Sequence, residues 1–349
     1  RAGGAQMPAF HLIDMRNENV LQGLSHQLIR VIRQHLEAAG QVLIYLNRRG
    51  FAPTLLCQSC GWQSHCPDCD AKLTLHQMPP QMICHHCGLR FEIPKQCDNC
   101  GHTALLPIGL GTQRAEESAR QLFKDTPVYR IDRDTTRTNK QLNAQLEQIN
   151  RGEPCVLVGT QMLAKGHHFP NVTLVAVINA DAGLLSPDFR APERTAQLIV
   201  QVAGRAGRAE RPGEVWIQSY QPDNPLLATL IESGYRGFAD IELASRETAQ
   251  LPPITPMALI RAESENPELA KQFLHQCKTQ SQALGLHKDI NIMGPVPAPI
   301  ARMANRHRFQ LMLIASNRSA LHRCLAALNQ TAAPKTLRWS IDVDPYDAM

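Results

Sequence analysis

The chain has 349 residues, which is enough for two or three domains, and its hydrophobic fraction of 43% permits a sizeable buried core. Aromatic residues make up only 5%, which argues against extensive base-stacking surfaces, and the formal net charge of +5 suits a polyanionic partner without requiring one. The sequence shows neither a secretory signal nor an apolar run of bilayer-spanning length, so we expect a cytoplasmic protein that does not enter a membrane.

A helix and a buried strand precede a cluster of cysteines. Apolar residues recur at helical spacing over residues 25–39, where Ser25 is a suitable N-cap and Gly40 a suitable terminator. The apolar run QVLIYL at residues 41–46 then predicts a buried strand. The polar segment NRRG follows that strand and leads toward the first cysteine of the cluster.

Helix–strand alternation resumes after the last of these cysteines. Helices are predicted at residues 112–124, 138–150 and 192–203, and strands at residues 128–132, 155–159, 172–179 and 214–220. Short apolar strands separated by helices are typical of a parallel sheet that is covered on both faces. We therefore predict an α/β fold with a parallel sheet, into which the cysteine cluster is inserted.

A proline-rich break at residues 251–256 predicts a domain boundary. The elements predicted beyond it are a strand, a helix, two strands, a helix and a strand, at residues 257–262, 267–284, 291–293, 309–315, 319–329 and 337–343. This β-α-β-β-α-β order predicts an α+β domain of the split βαβ type. We expect residues 294–309, which are basic and contain prolines, to form a connection outside the regular ladders.

Eight of the eleven cysteines fall between residues 57 and 100 as four Cys-x-x-Cys pairs. The pairs are Cys57/Cys60, Cys66/Cys69, Cys84/Cys87 and Cys97/Cys100. In a cytosolic chain this pattern favours metal binding over disulfides, because two such pairs complete one tetrahedral zinc site. Gly61, Gly88 and Gly101 directly follow second cysteines, where a turn of positive φ suits glycine. The spacing therefore predicts two zinc ions per chain, with all eight cysteines as ligands.

The spacing alone leaves the pairing of the cysteines open. A nested scheme joins the two inner pairs in one site and the two outer pairs in the other, and it is favoured over sequential pairing because the inner pairs have the spacing of a zinc-ribbon hairpin. Alternative ligands are His65, His76, His85, His86 and His102. An iron site or a dithiol redox pair is the alternative chemistry. Four cysteines leave no open position for water, so we expect structural zinc rather than catalytic zinc.

The segment QVAGRAGR at residues 201–208 carries two arginines, each preceded by a glycine. The guanidinium of arginine is a planar, bidentate hydrogen-bond donor, which suits phosphate oxygens and the negative charge that develops during phosphoryl transfer. We assign Arg205 and Arg208 as arginine fingers and Gln201 as a sensor of bound nucleotide. The plainer alternative is a basic helix end beside its own carbonyl pole.

A second polar segment, GTQMLAKGHHFPNV at residues 159–172, follows a predicted strand at the edge where α/β sheets place their ligand loops. Gly159 and Gly166 free the loop backbone, and Thr160 and Lys165 are candidates to contact DNA phosphate or the nucleotide. The charged segment DFRAPER at residues 188–194 leads directly into the helix that ends at the two arginines.

These segments resemble the motifs of superfamily 2 helicases. GTQMLAKGHHFP looks like motif V, QVAGRAGR looks like motif VI, and VLIYLNRRGFAP looks like the start of the second RecA-like lobe. The paired cysteines inserted after that strand narrow the resemblance to the bacterial family of primosomal replication-restart helicases, over nearly all of the chain. The segments NADAGLLSPDFRA, GLGTQRAEE and GPVPAPIARMANRHRFQ add to the likeness.

The resemblance implies the second motor lobe of an ATP-dependent 3′→5′ DNA helicase that acts in replication restart and primosome assembly, with ATP and Mg²⁺ bound in the full-length protein. It implies branched-fork and single-stranded DNA, single-strand binding protein and other primosome proteins as partners, and an S10-like fold for the last domain. Basic candidates for these contacts are Arg302, Arg306, His307, Arg308, Arg318 and Arg323.

The sequence departs from the family pattern in one respect, since neither a G-x-x-x-x-G-K-[ST] P-loop nor an evident Walker B carboxylate pair occurs in it. In the family these lie in the first motor lobe. The chain begins at Arg1 without an initiator methionine, so we expect it to be part of a longer protein and inactive alone.

The predicted division assigns residues 1–56 and 101–250 to the motor lobe, residues 57–100 to the zinc insertion and residues 251–349 to the split βαβ domain. The alternative function is a non-catalytic zinc-ribbon module that binds nucleic acid or assists assembly. That alternative explains the cysteines and the charge but not the two arginines.

Overall fold

The computed structural model describes residues 8–16, 18–46, 54–68, 72–77, 79–84, 88–108, 112–131, 139–160, 169–178, 180–186, 188–206, 213–286 and 288–346. Contacts within the chain define two compact units. The first comprises Arg1–Gln63, Pro94–Ser186 and Ala191–Phe238, and the second comprises Ser64–Ile93, Pro187–Arg190 and Ala239–Met349. Among the described residues, none of the helices combines the length and apolar character that a membrane span requires.

A six-stranded sheet forms the centre of the first unit, and every neighbouring pair in it is parallel. Side by side, its strands are β1 (Ala9–Asp14), β13 (Glu214–Ser219), β12 (Val172–Ile178), β4 (Gln41–Leu46), β11 (Val156–Gly159) and β10 (Val128–Ile131). Two short antiparallel pairs accompany it, namely β2 (Val20–Leu21) with β3 (Leu24–Ser25) and β5 (Thr54–Cys57) with β9 (Leu105–Ile108). The predicted parallel α/β sheet is thus confirmed.

Helices cover both faces of this sheet, as the sequence pattern predicts. They are α1 (His26–Glu37), α2 (Thr112–Leu122), α3 (Asn139–Asn150), α4 (Ala180–Leu184), α5 (Ala191–Ala203) and the first part of α6 (Pro225–Thr248). Along β4, Leu43 and Tyr45 join a core that includes residues of α3 and α5. Val42 and Ile44 alternate with them and join a second core that includes residues of α1 and α2. All six residues of β4 are buried, because apolar side chains pack on both sides of the strand.

The helix α1 begins as predicted but ends differently. The Ser25 hydroxyl oxygen accepts a hydrogen bond from the Leu28 N–H at 3.1 Å, which caps the first turn. At the other end Ala39, rather than Gly40, adopts a positive φ of 55°. A Cβ on Gly40 would lie 2.3 Å from the Thr173 Oγ1 atom, so glycine is needed there for the close approach to β12 rather than for its backbone freedom.

Besides the short strands β2, β3, β5 and β9, three longer or more irregular elements of the first unit were not predicted. The strand β1 pairs in parallel with β13 at the edge of the sheet, and α4 is only five residues long. The helix α6 contains a break at Gly234, where φ is 69°. A lone edge strand, a single short turn and a broken helix each give a weak periodic signal, which explains why the sequence pattern missed them.

The second unit contains an antiparallel sheet with two helices on one face. The sheet order is β15 (Ile290–Met303), β16 (Arg306–Ala315), β14 (Met257–Ser264) and β17 (Arg338–Val343). The helices α7 (Pro267–Ala283) and α8 (Arg318–Leu328) pack against these strands around a third core. The predicted β-α-β-β-α-β order is confirmed.

The prediction for residues 294–309 was wrong. These residues belong to a long hairpin in which β15 and β16 pair directly, with the turn at Ala304 and Asn305. Register shifts between Met293 and Val296 and between Pro297 and Arg302 interrupt the ladder around the prolines. The ladder tolerates prolines here because β15 is an edge strand, whose outward N–H positions need no partner.

The second unit also includes the middle of the cysteine-rich insertion. There β6 (Thr74–Gln77), β7 (Pro80–Ile83) and β8 (Arg90–Phe91) form a small antiparallel sheet. The insertion is therefore not one compact body, because its two ends belong to the first unit and its middle to the second.

A buried ion pair on α6 gives a test of the second unit. The Arg246 Nε and Nη2 atoms donate to the Glu242 Oε1 atom at 3.1 and 2.9 Å, and the guanidinium lies 5.3 Å from the centre of the Phe189 ring. We expect Arg246→Met to lower the free energy of unfolding by about 3 kcal/mol, because it leaves the buried Glu242 carboxylate without its main partner.

Scanning calorimetry measures this loss, with Arg236→Met as a matched control on the exposed side of the same helix. The double variant Glu242→Gln/Arg246→Met should recover part of the loss, since the carboxylate charge is gone as well. Equal transition temperatures for the Arg246 and Arg236 variants would contradict the assignment.

Candidate metal centre and motor motifs

Two of the four cysteine pairs meet in space. The Sγ atoms of Cys57, Cys60, Cys97 and Cys100, called the outer quartet below, all lie within 4.8 Å of one another. The Cys57–Cys100 and Cys60–Cys97 sulfur distances are 3.6 and 3.7 Å. A tetrahedral ion with Zn–S bonds of about 2.3 Å requires sulfur separations of about 3.8 Å, which these two distances match closely, so the quartet fits a zinc ion.

Three of the cysteine turns share one backbone geometry. In each, the N–H of the first cysteine donates to a carbonyl five residues later, at 2.8 Å for Cys57 and Cys97 and 2.9 Å for Cys84. The glycine four residues after that cysteine donates its N–H back, at 2.9, 2.9 and 2.8 Å for Gly61, Gly101 and Gly88. These glycines have φ values of 73°, 73° and 86°, which confirms the conformational role predicted for them.

The remaining four cysteines are called the inner quartet. Cys66 and Cys84 are fully buried, and β6 and β7 form an antiparallel pair in the chain between them. Cys69 and Cys87 lie outside the described residues, as do His85 and His86. The turn at Cys84 nevertheless has the geometry found at Cys57 and Cys97, and the inner quartet is therefore a second candidate centre.

The protonation of the outer quartet is uneven. Burial raises the pKa of the Cys97 thiol to about 12. Burial acts on Cys60 in the same direction, but hydrogen bonds from the Asn99 side chain and the Trp62 backbone outweigh it and lower the pKa of Cys60 to about 6. A cation that binds all four sulfurs must displace the remaining thiol protons, so occupancy of such a site weakens as the pH falls.

The first turn of the outer quartet is attached to loops that follow strands of the parallel sheet. Residues 57–63 form this turn, which we call the first knuckle. The Gln221 Nε2 atom donates to the Gly61 carbonyl at 2.7 Å, and the Gln63 Nε2 atom donates to the Leu185 carbonyl at 2.6 Å. A Cβ on Gly61 would lie 2.6 Å from the Tyr220 carbonyl oxygen, so the knuckle also sits close against the end of β13.

Sequence reasoning did not identify Gln63, Asp181 or Gln221 as residues of the site. Asp181 has the strongest signal that could have been used, since an acidic residue three positions after the apolar run of β12 is unusual at a position that proves to be 3% exposed. Burial raises the pKa of Asp181, against hydrogen bonds from Ser219 and the Tyr220 backbone that act to lower it. The two glutamines carry no comparable signal, because isolated glutamines are common in loops.

The motif V candidates begin at the carboxyl end of β11. Gly159 is the last residue of that strand, and Thr160, which follows it, is 6% exposed. This is the expected edge of a parallel sheet for ligand loops. Lys165 and Gly166 lie outside the described residues.

The motif VI candidates lie at the end of α5. One face of this helix is buried through Leu198, Ile199 and Val202, whereas Gln201 is exposed on the other face. Arg205 follows in the terminal turn, where its N–H donates to the Val202 carbonyl at 2.9 Å. Arg208 lies outside the described residues. The apolar packing of α5 thus fixes the position of the backbone turn that carries Arg205.

Several predicted basic candidates of the C-terminal domain lie near acidic partners or the hairpin turn. Arg308 Nε is 3.8 Å from Glu263, Arg318 Nη2 is 3.7 Å from Asp344, and Arg302 donates to the Asn305 side chain in the turn. Arg261, Arg308 and Arg338 also line a cavity of about 270 Å³ together with Glu263 and Trp339. Glu263 pairs with Arg308 and Arg338 on the two neighbouring strands, so this surface keeps an excess of positive charge.

Comparison with known families gives three matches along the chain. The primosomal protein N C-terminal domain matches residues 247–346, the PriA DNA helicase Cys-rich region domain matches residues 66–90, and the helicase conserved C-terminal domain matches residues 110–210. The three matches fall on the split βαβ fold, the inner quartet and the part of the parallel sheet that carries the motor motifs.

Two relatives show the extent of the similarity. The replication restart protein PriA of Haemophilus influenzae is 46% identical over 349 residues, which cover 99% of this chain and 48% of that protein. The protein of the same name from Bacillus subtilis is 35% identical over 98% of this chain and 43% of its own length. The chain therefore spans about half the length of the curated relatives it matches.

A solved structure of a variant of S. cerevisiae Dbp5 bound to RNA and ADP BeF3 aligns with 69% of this chain and 45% of its own, at 11% identity and a TM-score of 0.32. A similarity this weak adds no support to the fold, which the parallel sheet itself shows. The three family matches and the agreement over the whole chain show that the chain belongs to the PriA family of replication restart proteins.

Proposed function

We propose that this chain is the second motor lobe, with its zinc insertion and C-terminal domain, of an ATP-dependent 3′→5′ DNA helicase that acts in replication restart and primosome assembly in the cytoplasm. The observation that carries the proposal is the combination of a parallel sheet, with the motif V candidates at the end of β11 and the motif VI candidates at the end of α5, and a zinc-fitting quartet inserted after β4. Membership of the PriA family supports it.

The motor chemistry requires another lobe, the first motor lobe, which supplies the P-loop. ATP with Mg²⁺ would bind between that lobe and this one, and Arg205 and Arg208 would stabilise the charge of the phosphoryl group in transfer. Gln201 is proposed to respond to the bound nucleotide, in keeping with its exposed position on α5. Gly159, Thr160, Lys165 and Gly166 are proposed to couple the nucleotide to a DNA strand.

The metal sites are proposed to be structural. The outer quartet would hold one zinc ion and the inner quartet (Cys66, Cys69, Cys84 and Cys87) a second one, which is the nested pairing. Closed four-cysteine sites have no position for a reacting water, so their contribution is to hold the local fold. The division at residues 56/57, 100/101 and 250/251 remains our proposal for the functional domains.

The proposed partners are branched and single-stranded DNA, single-strand binding protein and other primosome proteins. The positive surface around Arg308 and Arg338, and the arginines of the β15–β16 hairpin, are the proposed contacts for phosphate or for an acidic segment. These contacts would mainly set affinity and its salt dependence, since phosphate binding releases counterions.

The metal content of the chain tests the zinc proposal. We expect two zinc ions per chain in protein purified without added metal, and one in Cys60→Ser, because three remaining sulfurs bind zinc far more weakly than four. Elemental analysis measures both. Cys155→Ala is the matched control, since Cys155 is buried in the core of the sheet away from the outer quartet, and it should keep both ions. Iron in place of zinc, or equal zinc in Cys60→Ser and the parent chain, would contradict the proposal.

The arginine assignment is tested in the full-length protein. We expect Arg205→Ala to lower the DNA-stimulated ATPase rate by about 10³-fold or more, because an arginine finger acts mainly on the transition state. DNA binding, measured by fluorescence anisotropy at fixed salt, should stay unchanged. Arg151→Ala, an exposed arginine just after α3, is the control and should keep full ATPase activity. Loss of DNA binding with ATPase retained, or robust ATPase activity of the present chain alone, would sink the assignment.

A further inference from the structure

A closed ring of hydrogen bonds joins the first knuckle to two loops of the motor lobe. From the knuckle, Gln63 Nε2 donates to the Leu185 carbonyl at 2.6 Å, and the Leu185 N–H donates to the Asp181 carbonyl at 2.8 Å. The Asp181 carboxylate accepts the Ser219 hydroxyl at 2.6 Å and the Tyr220 N–H at 2.9 Å.

The ring closes through Gln221. Its N–H donates to the Ser219 hydroxyl oxygen at 3.0 Å, and its Nε2 atom donates to the Gly61 carbonyl of the knuckle at 2.7 Å. The ring thus ties together the knuckle, the loop after β12 and the loop after β13. Removing any one member takes a donor or an acceptor away from its neighbours in the ring.

Most members of the ring are buried, with Tyr220 and Gln221 half-buried, and burial makes a hydrogen bond costly to lose. Gln63, Asp181 and Leu185 are each 3% exposed, and Ser219 is fully buried. A buried polar group that loses its partner carries its full desolvation penalty, whereas an exposed one is compensated by water. Surface contacts of a separate zinc module would be exposed to water, so the loss of one hydrogen bond would cost little free energy.

We propose that Gln63, Asp181 and Gln221 are positioning residues that make the outer metal site an integral part of the motor lobe, so that metal binding holds the loop between β12 and α5 in place. The proposal rests on the zinc binding proposed above. The cysteine sulfurs fix the knuckle, and the knuckle in turn supplies the Gln63 amide and the Gly61 carbonyl to the ring.

The loop held in this way leads into the motif VI helix. It contains α4, which packs against α5, and α5 leads to Arg205. The helix α5 has its own apolar anchor in Leu198, Ile199 and Val202, so loss of the ring is expected to loosen the loop without detaching the helix. Because linkage is reciprocal, loosening the loop must also weaken the hold of the knuckle on its metal.

The first measurement is the rate at which zinc passes from the present chain to a chelating dye. The phase that belongs to the outer site is identified as the one lost in Cys100→Ser. We expect Gln63→Ala/Gln221→Ala to speed this phase by about tenfold or more, since each net hydrogen bond corresponds to about fivefold. The inner phase should not change, and Gln34→Ala, an exposed glutamine of α1, should leave both phases unchanged.

The second measurement perturbs the metal site and follows the loops, so it does not depend on the glutamine variants folding well. In Cys100→Ser, amide exchange at Leu185 and Tyr220, whose N–H groups donate within the ring, should accelerate by about tenfold or more, on the same conversion of hydrogen-bond free energy. Exchange at Ile217 in β13, which belongs to the sheet core, should stay as in the parent chain.

The outcomes separate this inference from the proposed zinc binding. A parent chain with no zinc in the outer site overturns both. Zinc bound in the outer site, with the release phase unchanged in the double glutamine variant or with unaltered exchange in Cys100→Ser, overturns the linkage and leaves the metal proposal standing.

Discussion

Parallel pairing of β4 between β11 and β12 is the constraint on which the first unit depends. All carboxyl ends of a parallel sheet lie at one edge, so the segments that follow neighbouring strands become neighbours there. The cysteine insertion follows β4, the motif V candidates follow β11, and the loop with Asp181 follows β12. The strand order therefore brings the start of the insertion out between the motif V candidates and the loop that leads to the motif VI helix.

Different kinds of interaction hold α4 and α5, the two helices that follow β12 along the chain. The helix α5 is fixed by apolar packing, through residues buried in the same core as Leu43 and Tyr45. The short α4 before it shares this core through Ala180 and Leu184, but it is held as well by buried hydrogen bonds, from Ser219 to its Asp181 carboxylate and from the first knuckle to the Leu185 carbonyl that follows it. Apolar packing is insensitive to the state of a distant site, whereas a ring of buried polar contacts loses much of its stability when one member moves. The loop before α5 is thus the part of this edge that can respond to metal occupancy.

Periodicity in the sequence was enough to predict most of the regular part of the molecule. The strand at residues 41–46 has the predicted bounds, and the β-α-β-β-α-β order was predicted correctly, because buried strands and amphipathic helices carry a repeating signal. The long β15–β16 hairpin was missed because proline was taken to exclude a ladder, whereas its position at a sheet edge removes that conflict. The spacing of the cysteines predicted their chemistry, but the contacts of Gln63 and Gln221 depend on loops that meet only in the folded chain.

The meeting of the first and last cysteine pairs follows from how the insertion begins and ends. Its first and last strands, β5 and β9, pair antiparallel, with Cys57 opposite Leu105. An insertion that leaves and returns on paired strands brings its first and last turns together, so the pair at residues 57 and 60 meets the pair at residues 97 and 100. Sequential pairing would instead join the pair at residues 57 and 60 to the pair at residues 66 and 69, whereas its sulfurs lie within 4.8 Å of those of Cys97 and Cys100. The outer quartet therefore closes the insertion at its base, where the motor lobe begins, and its sulfurs and the strands β5 and β9 stabilise the same closure.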